Sequence, residues 1–566
     1  MSFPTLANLT NKKILEYAVN GSLPPTVCLD PVTSNKIFQQ LLPWIHMLDQ
    51  NALEVIMKIF KPTVINLTGI DTTEKIFEVI RSFNLFSLSL GYFKQLGNFK
   101  KDQKYHSLAK KYSPFNSTRR FLRRDWSVNE NVKRIGAVYD LPAVLRSILK
   151  QESRASLTHL DLSPGPIEAR NQGHAEQFAD GWAREIGQML PSLRSLSLRC
   201  RITTYNDFAD ICSFFPNLES LDLSYTAIES LTGISRLTKL KTLRIGGLKV
   251  EKYRSLMDIF NIEKLETLSF AETTIYGDSE RTIETYLRSR RPFPKLRNLD
   301  LSYSLLEEEN IRKLVEAHPT LESLSICRSD PLDLPGIRVF HSKTLQAATE
   351  SLKFYSDENN APMVGALMGD IFDYLYTQDH LPMEDLRECF KQVVFALGSF
   401  YFLKAVMNSG SECCRKLLKI APLSTYNQED IVRMVNILIS HISLKVKAID
   451  SHYLAYKATE PQWDVLNNRE LLLTTPHIDL NQICCLNIAM LKKIADRRGF
   501  DTSSCYVTIF DIVKDRINPN LEMFQSVQKR IIVDHIAQIR NFLVAWELQE
   551  DMDAADRLVQ FIDINF

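Results

Sequence analysis

Histidine is scarce in this chain, at 11 residues in 566, and none of His159, His174 and His318 has a metal partner at ligand spacing, so each is expected to be an ordinary surface or core histidine. Glycine and proline are also sparse, at 19 and 23, which excludes a collagen-like or low-complexity polypeptide. The ten cysteines form no Cys-x-x-Cys pair, so reduced thiols are expected and a disulfide framework is not. No window approaches the ~18 consecutive apolar residues of a membrane span. The N-terminal Met-Ser-Phe-Pro-Thr lacks the basic start and apolar run of a signal peptide, so no membrane is expected and the expected compartment is cytoplasm or nucleus. Net charge is nearly absent, with 68 Lys plus Arg against 67 Asp plus Glu, and nothing global calls for nucleic acid. Phosphate-binding loops, dinucleotide fingerprints, nucleophile elbows and His-Glu-x-x-His are all missing. The expectation is a protein that binds without catalysing and needs no cofactor.

What is present is a repeat. The spacing Leu157-x-x-Leu160-x-Leu162 recurs from Leu193, Leu218, Leu240, Leu265, Leu296 and Leu321, at intervals of 36, 25, 22, 25, 31 and 25 residues. An earlier copy reads Leu85-Phe-Ser-Leu88-Ser-Leu90, and a degraded one lies around Val64-Ile65-Asn66-Leu67. A period of two inside each unit predicts a short strand with its leucines facing inward. Pro191, Pro216, Pro294 and Pro319 lie two residues before such a unit, where a preceding helix must have ended. One unit cannot bury its own leucines, so stacking into a leucine-rich-repeat solenoid with a parallel sheet on the concave face is expected. Between Leu90 and Leu157 a segment near 94–125 is basic, from Lys94 to Arg124, and interleaved with Tyr105, Tyr112, Phe115 and Phe121. A solvated loop is the simpler reading, and single-stranded nucleic acid the alternative.

After Pro335 helical periodicity takes over, with helices expected at 341–355, 361–377, 383–408, 411–421, 428–445, 481–497, 506–516, 520–548 and 552–563. Helices in series predict an all-α armadillo or HEAT-like solenoid. The domains are then a helical segment at 1–50, leucine-rich repeats at 51–334 with the basic insert, and armadillo-like repeats at 335–566.

Pro4 to Val19 is amphipathic, with Leu6, Thr10 and Ile14 spaced by four. Alone, it reads as a cap over the open end of the repeats, or as a helix for a partner groove. Thr5-Leu6-Ala-Asn-Leu-Thr10-Asn-Lys-Lys-Ile14 resembles the box by which substrate receptors hold elongin C, with Thr10 where that box has cysteine. Ser34-Asn-Lys-Ile37-Phe-Gln-Gln-Leu41 resembles a cullin-selecting segment, in which Ile37 and Leu41 fit and Ser34 replaces a proline. Ser34 is otherwise readable as a helix N-cap. With repeats and then helices behind them, these segments follow the layout of the Zyg-eleven and Zer-one family, receptors of cullin-two ubiquitin ligases.

Phe542-Leu-Val-Ala545-Trp546-Glu547-Leu548-Gln549-Glu550-Asp551 resembles the segment of that family that lines a pocket for N-terminal glycine, with Glu547 in place of an amide. The resemblance implies that Glu550 pairs with the free ammonium and Trp546 forms a wall, with Glu547 and Asp551 beside them. Without it, Trp546 is a core aromatic and the acids are a solvated face. The resemblance implies a non-catalytic, monomeric subunit that joins elongin B, elongin C and cullin-two to protein clients. The alternatives are a repeat scaffold without ligase attachment, or a family member without the glycine pocket.

Overall fold

The computed structural model describes residues 29–91, 99–100, 138–163, 177–272, 279–400 and 403–448 apart from isolated positions, with single residues at 14–18 and 461–471. It divides into a unit of Met1–Ser351 with Asn360–Ala366, and a second of Leu352–Asn359 with Leu367–Phe566.

In the first unit the expected parallel sheet is present. Its strands are β1 (Val64–Asn66), β2 (Ser87–Ser89), β4 (His159–Asp161), β6 (Ser195–Ser197), β7 (Ser220–Asp222), β8 (Thr242–Arg244), β9 (Thr267–Ser269), β10 (Asn298–Asp300), β11 (Ser323–Ser325) and β12 (Arg338–Phe340). All ten pair in chain order. β3 (Val138–Tyr139) and β5 (Gln177–Phe178) make a separate parallel pair that no sequence pattern announced. β12 lies beyond the expected end of the strand pattern at 334; Val339, paired with Leu324, supplies its aliphatic position without a Leu-x-x-Leu text.

The middle residues form one register, from Ile65 and Leu88 through Leu160, Leu196, Leu221, Leu243, Leu268 and Leu299 to Leu324. Each is at most 1% exposed, so every unit fills the space its neighbours leave. Connecting helices such as Trp182–Met189, Tyr205–Phe214 and Glu308–Ala317 bury Ile186, Ile211 and Leu314 in the same core.

Several strands stop after three residues where the last side chain turns the backbone. Asn66, Asp161, Asp222 and Asp300 accept the N–H two residues on, from Thr68, Ser163, Ser224 and Ser302 at 2.9, 2.9, 2.9 and 3.1 Å. Two residues after the third aliphatic, Cys200, Tyr225, Tyr303 and Arg328 take φ of 59°, 57°, 62° and 72°. Left-handed backbone is unfavourable for these residues. It is held because Cys200, Tyr225 and Tyr303 donate to Ser224, Gly246 and Cys327 of the next unit, at 2.9, 2.8 and 2.8 Å. Arg201, 3% exposed, reaches back to the carbonyls of Leu162 and Gly91 in two earlier units.

Among the described residues no strand precedes β1, and a helix satisfies its edge. Pro31–Leu41 begins at the N-cap Asp30, whose carboxylate accepts from Val32 and Thr33 at 2.9 and 3.0 Å. Ser34 is therefore not the cap; it is buried inside the helix, and its hydroxyl accepts the Lys61 N–H at 3.2 Å. One turn apart, Asn35 accepts from Thr63 and Val64 at 2.7 and 3.1 Å, and Gln39 from Asn66 at 3.0 Å. These amides occupy the backbone groups that an open edge would offer to another strand.

The second unit is helical where it is described, with Ala361–Thr377 running into it and Met383–Ser399, Lys404–Ile420 and Gln428–Ala448 within it. The single helix expected at 383–408 ends at Ser399, and the next starts at Lys404. Phe400 and Leu403 are buried in the turn, so the apolar stripe runs through a chain reversal without a gap. Gly410, whose neighbourhood marks the expected break, is instead inside a helix, where a Cβ would stand 2.7 Å from Leu397 Cδ2 and 3.1 Å from Met368 Sδ. Cys389, Cys413 and Cys414 are fully buried; burial pushes the last two thiols well above their ordinary range, where they are unreactive.

Candidate protein-binding surfaces

Of the elongin-type box, Thr5, Leu6 and Thr10 lie outside the described residues. Ile14 is half-buried against the sheet unit's core, Ala18 is fully buried there, and Tyr17 is exposed. The helical segment thus rejoins the chain's own core by Ala18.

Ile37 and Leu41 are both fully buried, packed in that core with Phe38. What their helix presents outward is Val32, Lys36 and Gln40, spaced by four, with Val32 78% exposed. Trp546, Glu547, Glu550 and Asp551 lie outside the described residues. So does the basic insert, apart from Phe99 and Lys100, which bridges Tyr139.

The histidines take bland roles. His159 is exposed on β4, with Nδ1 2.8 Å from Thr158 Oγ1. His318 is buried, its Nδ1–H donating to the Leu314 carbonyl at 2.7 Å and its Nε2 accepting from the Tyr286 hydroxyl at 2.6 Å. Among the described residues no group of three His, Cys, Asp or Glu is placed to hold a metal. No helix among them is long and apolar enough to cross a membrane.

The surface that sequence reasoning did not single out is the sheet face opposite the core. Its first strand positions read Ser195, Ser220, Thr242, Thr267, Asn298 and Ser323 from β6 to β11, and its third positions Ser197, Asp222, Arg244, Ser269, Asp300 and Ser325. Small hydroxylic side chains dominate, and near its start Val64, the first residue of β1, and Phe86, immediately before β2, are 45% and 50% exposed.

Charges on this sheet fall into two rows. Immediately before the strands, Arg194, Glu219, Lys241, Glu266, Arg297 and Glu322 alternate in sign from β6 to β11. They pair across units: Arg194 to Glu219 at 3.2 Å, Lys241 to Glu219 at 2.8 Å, and Arg297 to Glu322 at 3.6 Å. A hydrogen bond from Lys241 holds the Glu219 carboxyl below its ordinary range. At the strand ends the case differs. Burial pushes the Asp161 carboxyl up, hydrogen bonds from Ser163 oppose that rise, and repulsion from Asp222 adds to it. The signal was visible in the recurring Leu-Asp-Leu-Ser text, but strand order was needed to bring the two acids near each other.

No family model matches the chain. Over 260 residues, 45% of this chain, it is 26% identical to Gastrulation-defective protein 3 of Caenorhabditis elegans, and the match spans 35% of that protein's length. The chain is thus a distant, partial relative of Gastrulation-defective protein 3.

Proposed function

We propose that this protein is a non-catalytic substrate-recognition subunit of a cullin-two ubiquitin ligase, of the Zyg-eleven and Zer-one kind. The segment from Thr5 to Ile14 hooks elongin C, with elongin B behind it. Ile37 and Leu41 set the following helix on the sheet, so that Val32, Lys36 and Gln40 face the cullin. The stacked strands are leucine-rich repeats and the helices behind them armadillo-like repeats, and together they hold the client. Ubiquitin transfer is carried out by other subunits, and this chain contributes proximity. A glycine pocket at Trp546, Glu547, Glu550 and Asp551 belongs to the same proposal.

The observation that carries the reading is the order of parts: a helical segment, then ten parallel strands in register, then helices. Distant similarity to Gastrulation-defective protein 3 supports it. Co-expression with elongin B and elongin C, followed by gel filtration, tests the hook. The natural chain is expected to co-elute and a folded Leu6→Asp variant to separate, since an anchor leucine in a groove contributes on the order of 2 kcal/mol or more. Failure of the natural chain to co-elute would return Pro4–Val19 to the role of a cap and leave a scaffold without ligase attachment.

A further inference from the structure

Before its strands the sheet pairs charges across units, and after them two acids stand two strands apart. Asp161 and Asp222 end β4 and β7, with only β6 between; Arg244 stands beside Asp222 at the same register on β8, and among the described residues no ion pair joins either carboxylate to a cation. Their turn does not need the charge. At the same register Asn66 accepts the Thr68 N–H at 2.9 Å and Ser269 the Ala271 N–H at 3.2 Å, so an amide or a hydroxyl does the same work. The charge is unfavourable to the fold: the carboxylates repel each other, and Asp161 is half-buried. Between them on β6, Ser197 Oγ lies 2.7 Å from Ser163 Oγ, a small polar pair. Toward the start of the sheet, Val64 on β1 and Phe86 just before β2 are both exposed apolar side chains.

We propose that this face takes an extended polypeptide segment of a client protein, which lays an apolar side chain on Val64 and Phe86 and a lysine or arginine between Asp161 and Asp222. The word client rests on the adaptor reading; the chemistry of the segment does not. Strands lie ~4.8 Å apart and an extended chain advances ~3.4 Å per residue, so the two contacts fall about four residues apart in the bound segment. The basic side chain pairs with both acids, and the apolar one covers the exposed ring.

The test uses the full chain and a set of labelled serine-based peptides of about twelve residues, with one phenylalanine and one lysine at spacings near four. Fluorescence anisotropy is expected to show binding that weakens with salt and vanishes when lysine is replaced by glutamate. Asp161→Asn with Asp222→Asn keeps both turns and is expected to weaken binding roughly tenfold, and Phe86→Ser to weaken it separately. Equal affinity for the double Asn variant, or no peptide bound above the glutamate control, would overturn the proposal. Binding that emerges only when residues 101–124 are deleted would also overturn it, by assigning the face to the chain's own basic segment. Elongin co-elution of the same variants separates the two readings. Peptide binding without elongin sinks the adaptor alone, and elongin without peptide binding sinks the client segment alone.

Discussion

The sheet unit and the helical unit bury their side chains by different rules. In the sheet unit each ladder position has counterparts at the same register in neighbouring units, as Leu221 has in Leu196 and Leu243. In the helical unit the contacts are individual: Gly410 admits Leu397 and Met368, Cys413 Sγ donates to the Met368 carbonyl at 3.3 Å, and the Tyr426 hydroxyl to the Leu417 carbonyl at 2.6 Å. Where roles repeat, the residues at one position can be compared along the row, as Asp161 and Asp222 can with Asn66 and Ser269. Where roles are singular, departure has no reference.

The largest effect expected on this contrast is that of Leu221→Ala, which empties one rung of the ladder and costs about 3 kcal/mol. Nearest-neighbour stacking predicts that hydrogen exchange rises in β6, β7 and β8 while Met383–Ser399 keeps its protection; equal loosening of both units would erase the contrast. Gly410→Val comes next, at about 2 kcal/mol, because an overfilled helix contact has no second unit to share the strain. Chemical denaturation measures it, and an unchanged midpoint would show that the close approach is not needed.

His318 sharpens the comparison through pH. Burial holds its pKa below the ordinary 6.5, so the folded chain binds fewer protons than the unfolded one as pH falls past that value. Stability from this site is full above pH 6.5 and is lost as pH falls through the lower folded value. Melting temperature is expected to drop on acidification more for the natural chain than for His318→Gln, and parallel profiles would count against it. The smallest effect is that of Glu219→Gln. Its partners are exposed, so losing both costs about 0.5 kcal/mol and fades with salt; a salt-independent loss of several times that size would mean that the row is structural.

Much of the sheet was legible because leucine spacing and strand register are the same fact written twice. The ladder from Leu160 to Leu324 could be counted in the sequence, and Leu88 and Ile65 extended it. β12 was hidden because Val339 fills its rung without flanking leucines. The turn at Phe400 was hidden because buried turn aromatics continue a helical stripe, and Gly410 misled because glycine serves close packing as well as chain breaks. Ser34 reads as a cap from its residue type, but Asp30 followed by Pro31 is the stronger start signal one turn earlier. For the candidate surfaces, the sequence displayed the acids of Leu-Asp-Leu-Ser. That two of them come near each other became visible only with strands in order, since contact across units joins residues more than twenty positions apart, as in Arg194 and Glu219.

Ubiquitin transfer in a reconstituted mixture is the most direct test of the adaptor itself. The full chain is combined with elongin B, elongin C, cullin-two with its RING subunit, the upstream enzymes and ubiquitin, and modification of its own lysines is followed by mass spectrometry. The account predicts modification that requires elongin C and is lost in Leu6→Asp. An unmodified chain, beside a known receptor that is modified in the same mixture, would contradict it.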